Sequence, residues 1–336
     1  MTAHYAAMPQ ERLEQGNLWA AAVQPQEIES IRLWRNAQID ILRQKAPISA
    51  EEQQAYYATH VWPVLAAREP ANILLGYHEN DRLIGYGGLV HIAWEHRRAE
   101  VSFLLDPALM TSAEAYGPYI RAFLGLTKRL AFRDLAITRL VTECYATRPG
   151  IIALLESEGF RREGVLRKHV RVGGRPVDSI LHGWLAEDAI TLASATAKDC
   201  ERLWRWRNDP ETRVNSLNTG EISWQSHQDW FEKALRDPTR IILIGCIEGI
   251  AVGMCRFDIA GGTAEVSIGL DPALRGRGLG APLLALAVAR FREQRRLPLF
   301  ATVKKQNAAS ARCFERCGFT PMAGDGASDR YGLDIA

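Results

Sequence analysis

Eleven residues are written almost twice in this chain, as AEVSFLLDPAL at 99–109 and AEVSIGLDPAL at 264–274. The echo is the strongest constraint on the fold, because it extends in the same order to whole segments. Trp34-Arg35-Asn36 recurs as Trp206-Arg207-Asn208, and Ile48-Ser49 recurs as Ile222-Ser223. Leu83-Ile84-Gly85 answers Ala251-Val252-Gly253, and Glu158-Gly159-Phe160 answers Cys317-Gly318-Phe319. The spacing between copies varies between 159 and 174 residues along the chain, the mark of a duplication with small insertions and deletions. A length of 336 residues suits two domains of about 150 each. We place a polar, partly disordered tail at 1–16, a first domain at 17–188 and a second at 189–336.

Each copy reads alike at the level of elements. A helix carrying Trp-Arg-Asn precedes a second helix, two alternating strands around a glycine, and the AEVS strand. A long amphipathic helix follows, then another strand, a short helix ending in Gly-Phe and a final extended segment. Antiparallel strands interleaved with helices indicate an α+β domain. An apolar fraction of 47% supports two sizeable cores. The near-balanced formal charge of +2 argues against nucleic acid or an anionic membrane as partner. No apolar run approaches the roughly 18 residues of a spanning helix, so a cytoplasmic chain is expected, with a homodimer left open. The six cysteines lack a framework spacing and read as reduced core thiols. No metal site is expected from their pattern.

The copies differ most after the shared strand. The second runs on as RGRGLG, with glycines at 276, 278 and 280, and opens a helix at Ala281. Such a loop brings backbone N–H groups close to a ligand, and with Arg275, Arg277 and the helix N-terminus it suits a pyrophosphate. The alternative from the residues alone is a glycine-rich turn with solvated arginines. In the strand, side chains alternate, so Glu265, Ser267 and Gly269 share one face and Val266, Ile268 and Leu270 the other.

Arg275-x-x-Gly278-x-Gly280 between this strand and helix resembles the acyl-CoA loop of the GNAT superfamily of N-acetyltransferases. Asn307, Ser310, Phe314 and Gly318-Phe319 resemble that superfamily's N-x-x-S/A-x-x-x-Y/F-x-x-x-G-F helix. The lead-in LWRWRNDPETRVNSLNTGEISWQSHQDWFEKAL is similar to the acceptor segment of members that acetylate amino sugars of nucleotide-activated surface glycans. The resemblance implies acetyl-CoA as co-substrate, held by Ile268, Gly269, Leu270, Arg275, Gly276, Arg277, Gly278, Leu279, Gly280, Ala281, Asn307 and Phe314. It implies Glu265 as the general base that takes a proton from the attacking amine. Many members carry tyrosine where this chain has Phe314, so the acid for the departing thiolate is Ser310, Tyr331 or water, or the thiolate leaves unprotonated. Arg207, Asn208 and His227 are the candidates for acceptor contact, Arg207 for a nucleotide phosphate. The function expected is acetylation of a sugar-nucleotide amine. The competing expectations are a protein N-terminal or antibiotic-type amine acetyltransferase and a non-catalytic CoA-binding module.

The first copy resembles another GNAT domain, with a poor CoA site. TSAEAYGP replaces RGRGLG and carries Glu114, which repels pyrophosphate. Arg148 stands at the position of Asn307 and Leu155 at that of Phe314. A weakened or lost CoA site is expected here, although Glu100, Glu143 and Tyr145 keep polar chemistry within reach.

Overall fold

The computed structural model describes residues 3–324 and 326–334. The chain divides into two compact units, Met1–Ala186 and Glu187–Ala336, a boundary two residues before the one read from the sequence.

The first unit contains eight strands and four α-helices among its described residues: β1 (Arg12–Gln15), β2 (Leu18–Ala22), α1 (Ile28–Ala37), α2 (Ala50–Tyr56), β3 (Ile73–Glu79), β4 (Arg82–Ala93), β5 (Arg98–Leu105), α3 (Ala113–Arg129), β6 (Arg139–Tyr145), α4 (Pro149–Ser157), β7 (Arg161–Val172) and β8 (Arg175–Leu185). They form one sheet in the order β1-β2-β3-β4-β5-β6-β8-β7. Residues 3–16 depart from the tail expected of 1–16. Tyr5 and Met8 are 1% and 2% exposed, the Leu74 N–H donates to the Tyr5 hydroxyl at 3.1 Å, and β1 pairs with β2. Tyr5, Met8 and Leu13 are apolar anchors within a polar stretch, and their burial outweighs its average composition.

The second unit repeats the plan: β9 (Thr191–Ser194), α5 (Cys200–Asn208), α6 (Pro210–Asn215), α7 (Trp224–Arg236), β10 (Arg240–Ile247), β11 (Ile250–Ala260), β12 (Thr263–Leu270), α8 (Gly280–Gln294), β13 (Leu299–Lys304), α9 (Ala308–Arg316), β14 (Thr320–Met322) and β15 (Ser328–Leu333). Its sheet runs β14-β15-β13-β12-β11-β10-β9. Leu203, Trp206 and Phe231 of α5 and α7 pack on Ile242 and Ile244 of β10. On the opposite face Phe257 of β11 stacks on Phe291 of α8, ring centroids 4.5 Å apart.

That packing orients β12. Phe257 pairs across the strands with Val266, which is 2% exposed, so Val266 faces α8. Glu265 and Ser267 then face the α5/α7 side, as strand alternation requires. Both units contain one parallel pair at the centre of the sheet, β5 with β6 and β12 with β13, and both pairs are short. Beyond Glu100↔Val141 in the first unit and Glu265↔Phe300 in the second, the strands diverge. A gap therefore opens in each sheet directly after the repeated glutamate.

Candidate active site

The Trp-Arg-Asn helix is locked to the segment after it in the same way in each unit. Asn208 Nδ2 donates to the Ile222 carbonyl at 2.7 Å, and its Oδ1 accepts the Ile222 N–H at 2.9 Å. Asn36 makes the same two bonds to Ile48, each at 2.9 Å. Asn208 thus corrects an expectation: both ends of its amide hold backbone, and it does not line the cavity beside it. A short polar residue near a helix end serves backbone as readily as ligand.

That cavity, about 650 Å³, lies between β12, α5, α7 and the start of α9. Glu265, Arg207, His227, Ile268, Gly269 and Leu270 line it, together with Asn307, Ser310 and Phe314. Thr302 on β13 donates its hydroxyl to Glu265 Oε1 at 2.8 Å. Sequence reading passed over Thr302, although alternation along LFATVKK places it on the same face as Phe300, the parallel partner of Glu265.

Arg207 enters the cavity from α5. Its Nη2 donates to the Asn218 carbonyl at 2.6 Å, while its Nη1 is shielded from solvent with no hydrogen-bond partner. Burial, then the like charges of Arg213 and Arg256, lower the pKa of this guanidinium. Arg256, also on the wall, is tied to Asp258 at 2.8 Å and lies 5.6 Å over the Trp230 ring. An N–H donor left dry and unpaired is unfavourable by roughly 1–3 kcal/mol, a deficit that an anionic ligand removes. His227 is 4% exposed, and its Nε2 donates to the Cys200 carbonyl at 3.0 Å, leaving the lone pair on Nδ1. Burial lowers its pKa, so it stands in the wall as a neutral imidazole.

The glycine loop lies beyond the cavity. Gly276 and Gly278 take φ of +73° and +81°, the left-handed backbone that side chains resist, and a Cβ built on either meets nothing within 4 Å. Gly280 serves another purpose, since a Cβ there would come 3.2 Å from Cys313 Sγ on α9. No side chain caps α8 at Leu279, whereas Cys317 donates its thiol to the Ala281 carbonyl at 3.3 Å. Arg275 departs from its expected place. It bridges Asp209 at 2.8 Å and Glu211 at 2.9 Å and reaches Thr212, fastening the loop to α6. Arg277 donates to the Ala273 carbonyl at 3.2 Å.

The edge of β12 faces the gap with alternate peptide groups. The Gly269 carbonyl points at Gly253 of β11, and the Asp271 N–H bonds to Val252. The peptide groups of Ile268 and Leu270 therefore face the gap. Across it, Asn307 caps α9 by accepting the Ser310 N–H at 3.1 Å, and buried Phe314 stacks near Tyr331, centroids 6.3 Å apart. Of the side-chain acids considered for the thiolate, Ser310 lines the cavity and Tyr331 does not. Among the described residues no group of three or more His, Cys, Asp or Glu is placed to hold a metal ion. No helix among them is long and apolar enough to cross a membrane.

Residues 21–181 and 189–320 match two families, each described as an acetyltransferase (GNAT) domain. The chain is a tandem GNAT acetyltransferase. It is an N-acyltransferase that uses acetyl-CoA. Among solved structures it is similar to spermidine N-acetyltransferase from Vibrio cholerae in complex with CoA and spermine, at 20% identity over 51% of this chain and 96% of that one, with a TM-score of 0.46. A dodecameric structure of spermidine N-acetyltransferase from the same organism matches at 21% identity over 51% of this chain and 95% of that one, with a TM-score of 0.44.

The first GNAT domain supplies partners from within the chain at several positions that the second leaves open. Arg43 bridges Glu100 at 3.0 Å and Glu143, the counterpart of Thr302, at 2.7 Å. Arg35, the counterpart of Arg207, donates to the Tyr86 hydroxyl at 2.5 Å. Gln38 donates to the Leu105 carbonyl, the counterpart of Leu270, at 2.9 Å. At the loop, Ser112 caps α3 by accepting the Ala115 N–H at 3.3 Å, and Glu114 adds its carboxylate to that first turn.

Proposed function

We propose that the second domain acetylates the amine of an amino-sugar nucleotide, and that the observation carrying this reading is the dry, unpaired Nη1 of Arg207 in the cavity wall. A phosphate on the acceptor satisfies that donor, and Arg256 adds a second positive charge beside it. A polycation gains nothing from either group. The substrate amine presents itself to Glu265, whose carboxylate takes the proton directly or through one water. Ile268 and Leu270 offer backbone N–H groups from the strand edge to the pantetheine arm and to the thioester oxygen as charge develops on it. The open turns at Gly276 and Gly278 and the uncapped start of α8 receive the pyrophosphate. The thioester supplies an activated acetyl group, and the protein's part is to align it with the amine and hold the charges that appear. Ser310 is the hydroxyl placed to meet the leaving sulfur.

Acetyl-CoA is to be offered with a UDP-4-amino sugar, the same amino sugar without its nucleotide, spermidine, an N-terminal alanine peptide and an aminoglycoside. CoA release and gain of one acetyl group are expected for the sugar nucleotide, with a kcat/KM at least about 10-fold above the nucleotide-free sugar, as one charge-assisted contact implies. Turnover on spermidine in preference to it overturns the acceptor assignment. Gly278→Trp is expected to abolish turnover, and its survival overturns the assignment of the reaction to the second domain.

A further inference from the structure

The first domain has a cavity of its own, about 470 Å³, in the gap between β5 and β6 and beneath α2. Six arginines and glutamates line it: Arg35, Arg43, Arg148, Glu52, Glu100 and Glu143. Five have a hydrogen-bond or ion-pair partner within the chain. Arg43 holds Glu100 and Glu143 together, Arg35 is bound to Tyr86 and Gln44, and Glu52 accepts the Ser49 N–H at 2.8 Å to cap α2.

Arg148 is the exception. It is partly buried at the start of α4, and no hydrogen-bond or ion-pair partner for its side chain exists among the described residues. A guanidinium does not shed its proton at any physiological pH, so it cannot relieve burial by becoming neutral. The carboxylates that might have compensated it are held by Arg43 and by α2. Tyr56, Tyr57, Tyr86 and Tyr145 line the same cavity. Gln38 occupies the Leu105 carbonyl, and Ser112 and Glu114 occupy the start of α3.

We infer that the first domain is a binding site for a small organic anion, a carboxylate or a phosphate monoester, whose charge is received by Arg148 within the β5/β6 gap. The anion supplies the direct ion-pair partner that Arg148 lacks, and the tyrosines receive the rest of the molecule. Neither Glu100 nor the second domain's machinery takes part.

The full-length protein is to be titrated calorimetrically with benzoate, phenyl phosphate and, as an uncharged control, benzamide. At least one anion is expected to bind saturably with one site per chain, and benzamide is expected not to; which anion binds separates carboxylate from phosphate. Arg148→Gln is expected to weaken that binding by at least about 10-fold and to leave acetyl-CoA binding by the second domain intact. Ser102→Tyr fills the same cavity from β5 with the guanidinium retained, and is expected to abolish anion binding, which decides the matter if Arg148→Gln fails to fold. Absence of saturable anion binding, equal binding of benzamide, or an affinity unchanged in either variant overturns the inference.

Discussion

One hydroxyl holds the carboxylate on which the proposed chemistry turns. Thr302 donates to Glu265 Oε1 at 2.8 Å, and no other hydrogen bond to that side chain exists among the described residues. Such a bond fixes the orientation of the carboxylate in the cavity. Thr302→Val keeps the shape of the side chain and is expected to lower kcat by about 10-fold, the scale of one hydrogen bond to a charged group. It is also expected to leave KM for acetyl-CoA in place. An unchanged kcat assigns Thr302 to strand packing alone. The face that Glu265 shares with Ser267 was legible from alternation within one strand. Thr302 was not, because its role depends on a parallel register between strands more than thirty residues apart, which no local pattern encodes. Asn208 was misread for the opposite reason: its amide has an equally good local partner in Ile222.

Among the elements, α7 shows how burial sets pH behaviour. His227 lies between α7 and the start of α5, 4% exposed, its ring nearly parallel to Phe231 at 5.8 Å. Its pKa is lowered in the folded protein, first by burial, while the hydrogen bond to Cys200 pulls the other way. In the unfolded chain the imidazole takes up a proton near pH 6.5. The unfolded state therefore binds more protons below that pH, and stability is full above it and declines as pH falls toward the folded value. In His227→Phe, urea unfolding followed by tryptophan fluorescence between pH 6.5 and 5 is expected to lose up to about 1.4 kcal/mol per pH unit of slope. An unchanged slope would place the acid sensitivity elsewhere, with His182 of β8 the next group whose pKa burial lowers. Element types and their order were legible because the repeat supplied each reading twice. The first sixteen residues were not, since three buried apolar side chains among polar ones leave no periodicity to detect. Arg275 escaped for a related reason: RGRGLG describes the loop, whereas the acids that claim this arginine belong to α6.

For the whole molecule, the two copies have kept one scaffold and reversed its polar arrangement. In the second, Arg207 and the β12 edge await partners. In the first, Arg43, Gln38 and Ser112 supply partners from within the chain. The sequence made half of this contrast visible, in the loss of the glycines. The other half lay in Gln38 and Arg43, which sit in an irregular segment where nothing marks a side chain as a plug.

Those internal partners make the first domain a built-in reference for the second. A ligand raises the melting temperature only of the body that binds it, by RT ln(1 + [L]/Kd), about 2.7 kcal/mol at a hundredfold excess over Kd. Scanning calorimetry of the full chain with saturating acetyl-CoA is accordingly expected to move one thermal transition upward and leave another where it was, and benzoate or phenyl phosphate should do the reverse. Movement of both transitions with acetyl-CoA would mean that the first domain still receives it. If they part as expected, the duplication has yielded a chain that reports separately, through two melting events, on two different metabolite pools.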